Sequence, residues 1–121
     1  MMKKLLVEVG ELTDKEYARA NEQYPAFASD HEGLAVAEEE VAETIEAIGH
    51  VQELAYALRK AVRANDYKET TKVSELLYTA AQDVAAEAIQ TAAMAEKLIE
   101  SQDIRKTKKW PALPMLGGGR E

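Results

Sequence analysis

The sequence predicts an all-α fold, and three observations support this prediction. None of the three prolines lies between Ala26 and Trp110, so a long stretch contains no helix-breaking proline. Within that stretch, apolar residues recur at helical spacing in two long segments. A capping residue followed three positions later by Glu, which is typical of a helix start, occurs three times, beginning at Thr13, Ser29 and Asp66.

The first two capping patterns predict a short helix and a long one. The pattern at residues 13–16 predicts a helix that runs to about Gln23 and stops at Pro25. The pattern at residues 29–32 opens a second helix, in which Gly49 is compatible with a kink, a break or a close helix crossing. Its predicted core-facing stripe is Leu34, Ala37, Val41, Ile45, Ile48, Val51, Ala55, Leu58 and Val62.

The third capping pattern predicts a helix from residue 66 to about Ser101. Its apolar stripe recurs between Val73 and Leu98. We therefore predict a helical domain over residues 1–101. Residues 102–121 lose the periodicity and combine basic residues, two prolines and three successive glycines, which indicates a flexible tail.

The composition limits the size of the core that one chain can form. Hydrophobic residues make up 46% of the 121 residues, but many of them are alanine, which buries little area per residue. A chain of this length forms one domain with a modest core. We therefore predict a helical bundle whose core is completed by oligomerisation.

Charge and cysteine content exclude several functional classes. The net charge is −7, and residues 1–100 alone carry −10, so a nucleic-acid partner is not expected. The chain has no cysteine, which excludes disulfides, thiolate zinc sites and cysteine nucleophiles. Glu8 and Glu11 interrupt the apolar residues near the start, so we expect no signal peptide, no membrane partner and a cytoplasmic location.

Glu87 is the residue that points most directly to a function. At about 100° per residue it projects about 60° from Val84, within the apolar face of the third helix. A buried carboxylate without a partner is costly, so such groups pair, titrate or bind metal. Glu40 and Glu43 are neighbours on the second helix and repel each other unless a cation offsets their charge. The alternatives are a solvated acidic face and, for Glu87, a pairing with Arg59, Lys60, Arg63 or Tyr56.

Four segments of the chain are similar to those of a known family. They are Ala20-Asn21-Glu22-Gln23-Tyr24-Pro25, Ser29-Asp30-His31-Glu32-Gly33-Leu34-Ala35-Val36, Glu39-Glu40-Val41-Ala42-Glu43 and Ala86-Glu87-Ala88-Ile89-Gln90-Thr91-Ala92-Ala93-Met94-Ala95. Together they resemble small phage and prophage proteins of the all-α nucleoside triphosphate pyrophosphohydrolase superfamily, the MazG-like group. The resemblance covers about residues 15–100.

The resemblance implies an antiparallel helical bundle that assembles as a homodimer or homotetramer. It also implies Mg²⁺-dependent cleavage, with Mn²⁺ as a substitute ion, of a nucleoside or deoxynucleoside triphosphate to a monophosphate and pyrophosphate. That group's signature is EExxE on one helix and ExxD on another. Glu40, Glu43 and Glu87 match metal ligands of this signature, and Glu39 matches its remaining acid, which we expect to orient or deprotonate the attacking water.

One position of the signature departs from the family pattern. Gln90 stands where the family has Asp, so it would ligate only through a neutral carbonyl oxygen, and Asp83, one turn before Glu87, is a substitute ligand. We expect Lys60, Arg63 and Lys68 to contact the phosphates. Two alternatives remain open at this point: a catalytically inactive helical oligomer that binds nucleotide or protein, and a plain structural bundle.

Overall fold

The computed structural model describes residues 2–22 and 25–106, with side chains through residue 104. These residues form three α-helices, α1 (Met2–Asn21), α2 (Asp30–Arg63) and α3 (Tyr67–Lys106), and contain no strand. The all-α prediction is therefore confirmed for the described part of the chain. Helices α2 and α3 form a long antiparallel hairpin, and α1 packs against α3 but not against α2.

Helix α1 begins much earlier than the sequence analysis predicted. It starts at Met2, so Thr13 lies inside the helix and does not cap it. The Thr13 hydroxyl donates a hydrogen bond of 2.9 Å to the carbonyl of Val9, four residues earlier. Threonine side chains make this bond within helices, so a Thr-x-x-Glu pattern does not by itself mark a helix start. The prediction of a short helix opening at residue 13 was wrong.

The predicted start of α2 is confirmed. Ser29 Oγ accepts a hydrogen bond of 3.1 Å from the backbone N–H of Glu32, and the Glu32 carboxylate accepts one of 2.6 Å from the N–H of Ala28. The helix continues through Gly49 without a break. A Cβ atom built at Gly49 would have no heavy atom within 4 Å, so no part of the described chain crosses closely there.

A tight turn joins α2 to α3. Asn65 has a φ of 55°, a left-handed conformation that asparagine tolerates better than most residues. The N–H of Asp66 bonds to the carbonyl of Ala61, and that of Asn65 to Val62, which satisfies the last carbonyls of α2. Asp66 then caps α3 through a 3.0 Å bond from the N–H of Glu69, as predicted. Helix α3 runs to Lys106, five residues beyond its predicted end, and the rest of the predicted tail lies outside the described residues.

The core consists of two separate apolar clusters along the hairpin. The end cluster is formed by Phe27, Ala93 and Met94, with Tyr17, Ala20, Val36 and Leu98 packed against it. The turn cluster is formed by Leu54, Val73 and Ala80, with Val51, Ala57, Leu58 and Leu77 packed against it.

Close packing and one buried hydroxyl fix the end cluster. A Cβ atom at Gly33 would lie 2.6 Å from Leu98 Cδ1 and 3.1 Å from Phe27 Cδ2, so only glycine fits there without a shift of its neighbours. Ser101 is fully buried, and its Oγ accepts a 2.9 Å hydrogen bond from the N–H of Phe27 and donates one of 2.8 Å to the carbonyl of Lys97. The loop before α2 is thereby held against the end of α3.

The predicted core face of α2 is mostly exposed. Leu34, Val41, Ile45 and Ile48 are each 42% exposed or more, and the buried residues of α2 are instead Gly33, Leu54 and Ala61. The helical period of the predicted stripe is correct. Its position around the axis of α2 is wrong, because α3 packs against a neighbouring side of the helix. No described helix is both long enough and apolar enough to span a bilayer.

Candidate metal centre

Three carboxylates meet midway along the hairpin, between the two apolar clusters. Glu40 and Glu43 lie three residues apart on α2, and therefore on one side of the helix. Glu87 faces them from α3. Each of the three residues offers a carboxylate oxygen, and these oxygens all lie within 4.8 Å of one another.

Two threonines bring the helices together one turn away from these acids. Thr44 Oγ1 and Thr91 Oγ1 lie 3.2 Å apart across the helix interface. Each hydroxyl also lies within hydrogen-bond distance of a carbonyl on its own helix, that of Glu40 at 3.0 Å and that of Glu87 at 3.1 Å. The small side chains allow a close approach of the two backbones, and the contact fixes which residues of α2 and α3 face each other.

The separation of the carboxylates suits a small divalent cation. A Mg²⁺–oxygen distance of about 2.1 Å places two oxygens on opposite sides of the ion about 4.2 Å apart, which is close to the spread of the cluster. Glu40 and Glu87 are half-buried, whereas Glu43 is exposed. The cluster is therefore open to solvent on one side.

The acids of the cluster disfavour one another's ionised form. Partial burial, and then the negative charges of Glu43 and Glu87, raise the pKa of Glu40 above its ordinary value. Desolvation beside the helix interface, and then the charges of Glu87 and Glu39, raise the pKa of Glu43, to which a hydrogen bond with Glu87 also contributes. Glu40 and Glu43 therefore hold protons more tightly than isolated glutamates do, and a cation would compete with those protons.

No positive side chain neutralises the cluster within residues 2–22 and 25–104. Arg19 forms an ion pair with Glu16, and His50 Nδ1 lies 3.8 Å from a Glu53 oxygen, and neither contact includes Glu87. The candidate partners Tyr56, Arg59, Lys60 and Arg63 follow Glu43 on α2 by about 20 Å or more along the helix, so the alternative pairing of Glu87 with one of them is wrong within one chain. Glu87 faces two other acids instead.

The other predicted site residues of this region lie around the cluster. Glu39 is exposed, and its charge acts on both Glu40 and Glu43, so it lies beside the three acids. Asp83 is exposed and does not join the group that the three glutamates form. Gln90 is half-buried and follows Glu87 by three residues on α3, and its role as a neutral ligand stays a prediction.

The predicted phosphate contacts lie at the far end of the hairpin. Lys60 follows Glu43 by 17 residues, which corresponds to about 25 Å along a helix. Its Nζ lies 5.6 Å from the centroid of the Tyr56 ring. Arg63 and Lys68 are farther still from the acids on their own helices. Within one chain, therefore, these three side chains cannot reach a phosphate held at the cluster.

Helix α1 contributes a charge that the sequence analysis missed. Glu16 is only 17% exposed at its side chain, and its negative charge is among those that raise the pKa of Glu40. Glu16 also pairs with Arg19, whose Nε lies 3.1 Å from a Glu16 oxygen. The sequence signal that could have placed Glu16 on a long helix is the helical spacing of Met2, Leu5, Val9 and Tyr17. This spacing begins the helix before Thr13 and carries it through Glu16.

Comparisons of this chain with protein-family models, curated proteins and solved structures find no match. The resemblance to the pyrophosphohydrolases therefore remains a prediction, and the cluster of three glutamates is the structural observation on which a functional proposal rests.

Proposed function

We propose that this chain is a Mg²⁺-dependent hydrolase that cleaves nucleoside triphosphates to a monophosphate and pyrophosphate. The observation that carries the proposal is the meeting of Glu40, Glu43 and Glu87 within 4.8 Å, from two helices and without a neutralising cation among the described side chains. Three clustered carboxylates at an open edge supply the hard oxygen ligands that Mg²⁺ prefers. The signature that these residues match supplies the reaction class.

The four acids have two roles in this proposal: three hold the metal ion and one acts on the attacking water. Glu40, Glu43 and Glu87 hold Mg²⁺, which when bound supplies a positive charge beside the phosphoryl oxygens and acidifies a ligated water. Glu39 lies beside the cluster but outside it, so its carboxylate is available to orient the attacking water and accept its proton.

The decisive experiment measures pyrophosphate release from a panel of nucleoside and deoxynucleoside triphosphates. It compares Mg²⁺, Mn²⁺ and EDTA, and it includes Glu40→Gln, Glu39→Gln and a control, Glu75→Gln, which removes an exposed carboxylate elsewhere on α3. We expect metal-dependent release that Glu40→Gln and Glu39→Gln abolish and Glu75→Gln preserves. Only Glu40→Gln should also weaken Mg²⁺ binding in calorimetry. Activity that persists in EDTA, or in Glu40→Gln, contradicts the proposal.

Gln90 allows a second, gain-of-function test. Replacing it with Asp restores the anionic residue of the signature at a half-buried position three residues after Glu87. An additional carboxylate should tighten Mg²⁺ binding and raise the rate of pyrophosphate release. Gln90→Glu serves as a matched control, because it adds the same charge on a longer side chain. An equal effect of both variants would indicate a change in charge rather than a ligand position.

A second candidate function is a non-catalytic helical oligomer that binds a divalent cation, a nucleotide or a protein. The position of Lys60, Arg63 and Lys68, about 25 Å or more from the acids along the helices, favours this alternative over the enzyme. It predicts Mg²⁺ binding without pyrophosphate release from any triphosphate in the panel. A single substrate with metal-dependent turnover would remove it.

A further inference from the structure

Helix α1 runs antiparallel to α3, so its later residues approach the three clustered acids. The Asp14 side chain forms a hydrogen bond with that of Glu96 on α3. Farther along α1, Tyr17 and Ala20 pack against the end cluster, to which α3 contributes residues 93 and 94. Higher residue numbers on α1 therefore lie beside lower residue numbers on α3, in the direction of the acids.

Glu40 of α2 lies at the same height along α3 as this part of α1. Thr44 faces Thr91 across the antiparallel hairpin, and their hydroxyl oxygens lie 3.2 Å apart. Glu40 precedes Thr44 by four residues and is therefore level with about residue 95 of α3. Because α1 and α2 do not pack against each other, no helix contact fills the space between residues 17–20 of α1 and Glu40.

Arg19 lies on the flank of α1 that faces Glu40. At about 100° per residue, Glu16 projects about 160° from Asp14, whose side chain turns to Glu96 of α3 instead. The negative charge of Glu16 acts on Glu40, so the flank that carries Glu16 is directed to α2. Arg19 projects about 60° from Glu16 and about 140° from Asp14, and it therefore shares the flank of Glu16.

The guanidinium of Arg19 carries N–H groups that no described residue occupies. Its Nε lies 3.1 Å from one Glu16 oxygen, and its Nη2 donates to the other, which holds the group on this flank. No group among residues 2–22 and 25–104 accepts a hydrogen bond from Nη1, and the side chain is 67% exposed. Arginine presents five N–H donors in a planar fork that matches the oxygens of a phosphate.

Resting on the proposed function, we propose that Arg19 binds the pyrophosphate group of the triphosphate that is held at Glu40, Glu43 and Glu87. In the reaction, a water oxygen bonds to the α-phosphorus and its proton passes to Glu39. The bond from the α-phosphorus to the oxygen that bridges to the β-phosphorus breaks, and this oxygen leaves on pyrophosphate with the bonding electron pair. Arg19 stabilises the negative charge that develops there, which the basic residues at the far end of the hairpin cannot reach within one chain.

Acids surround Arg19 as well, which makes the predicted binding dependent on the metal. Glu16 and Glu22 both place negative charge beside the guanidinium, and the three clustered acids lie on the facing helix. Without a cation these carboxylates repel pyrophosphate. We therefore expect Arg19 to bind pyrophosphate in Mg²⁺ and not in EDTA.

Calorimetry with inorganic pyrophosphate in excess Mg²⁺ tests this assignment without turnover. Arg19→Gln should weaken pyrophosphate binding about tenfold or more, since a charge-assisted hydrogen bond is lost. It should not weaken the binding of Mg²⁺ alone, because Arg19 is not a ligand. The matched control, Arg59→Gln, removes an exposed arginine from the distant half of α2 and should bind pyrophosphate as the unmodified protein does. Absent binding to the unmodified protein, equal binding in EDTA, or unchanged binding to Arg19→Gln overturns the proposal.

A second variant distinguishes binding from a structural role of the ion pair. Glu16→Gln breaks the same pair from the other side but keeps the guanidinium. If the pair only fastens α1, both variants should weaken pyrophosphate binding equally, and that result overturns the proposal. We expect Arg19→Gln to lose at least about ten times more affinity than Glu16→Gln, with equal helix content by circular dichroism.

The rate of pyrophosphate release separates this inference from the proposed function. Arg19→Gln should lower kcat/KM for a triphosphate about tenfold or more. Metal-dependent release that Arg19→Gln leaves unchanged supports the enzyme and overturns the role of Arg19. Absent release by the unmodified protein, together with Arg19-dependent pyrophosphate binding, overturns the enzyme and supports Arg19 as a pyrophosphate-binding residue.

Discussion

Replacing Glu87 with Gln should stabilise the metal-free protein and abolish its response to Mg²⁺. The oxygens of Glu87 and Glu40 lie within 4.8 Å, where two unit charges repel by about 0.9 kcal/mol at the dielectric constant of water. Salt and the partial exposure of both groups reduce this value, and burial increases it, so we expect a gain of about 1 kcal/mol in EDTA. For a domain of this size, that gain raises Tm by about 4 °C.

Mg²⁺ should stabilise the unmodified protein much more than Glu87→Gln. A cation that binds only the folded state, at 100 times its Kd, stabilises by about 2.7 kcal/mol, or about 10 °C in Tm. The unmodified protein should show this rise, and Glu87→Gln should show little of it because one of three ligands has lost its charge. The order of stability of the two proteins should therefore reverse between EDTA and Mg²⁺.

Scanning calorimetry at one fixed protein concentration measures both effects, and Glu75→Gln provides a control with the same change in net charge. Glu75 is exposed on α3 and takes no part in the cluster. The control should match the unmodified protein within about 0.5 kcal/mol in EDTA and keep the full Mg²⁺ response. If Glu87→Gln behaves like the control in both conditions, the three acids neither repel strongly nor share a cation, and the reasoning is refuted.

Three further predictions concern the pH response and the end cluster. The raised pKa values of Glu40 and Glu43 mean that protons compete with the cation for these carboxylates. The Mg²⁺ affinity measured by calorimetry should therefore fall as the pH decreases through these raised values. An affinity that does not change with pH would show that these acids are not ligands. Ser101→Ala should lower the free energy of unfolding by about 1–3 kcal/mol in urea titrations, since a buried N–H loses its hydroxyl acceptor, and a loss below about 0.5 kcal/mol would contradict the structure. Gly49→Ala should raise the free energy of unfolding by up to about 1 kcal/mol, because alanine has the higher helix propensity. Gly33→Ala should leave the free energy of unfolding unchanged or lower it, because the new Cβ would meet Leu98. Equal effects of the two variants would contradict the packing described at Gly33.

The sequence predicted the elements whose signals are local. Ser29 and Asp66 were recognisable as caps because their side chains bond to backbone N–H groups only three residues away. Thr13 has the same pattern but bonds to Val9, because an adjacent apolar spacing extends the helix past it. A local motif cannot distinguish these two outcomes unless the preceding residues are weighed with it.

The parts that depend on how helices face one another were harder to predict. Periodicity gave the stripe of α2 but not the direction in which α3 lies, so Ile45 was assigned to the core and is exposed. The proximity of Glu87 to Glu40 and Glu43 was anticipated from the pairing of two acidic helix segments. The distance of Lys60 from them was not, because the assignment considered the charge of Lys60 and its place near the turn, and not the length of helix that separates it from Glu43.

The separation of the core into an end cluster and a turn cluster has a consequence for how the chain opens. The acids and the two threonines occupy the interval between these clusters, where no large apolar side chain is fully buried. Each half of the hairpin can therefore unfold locally without the other, as two cooperative units of different stability. Hydrogen exchange should resolve these two units in EDTA, and a cation shared by α2 and α3 should merge them into one.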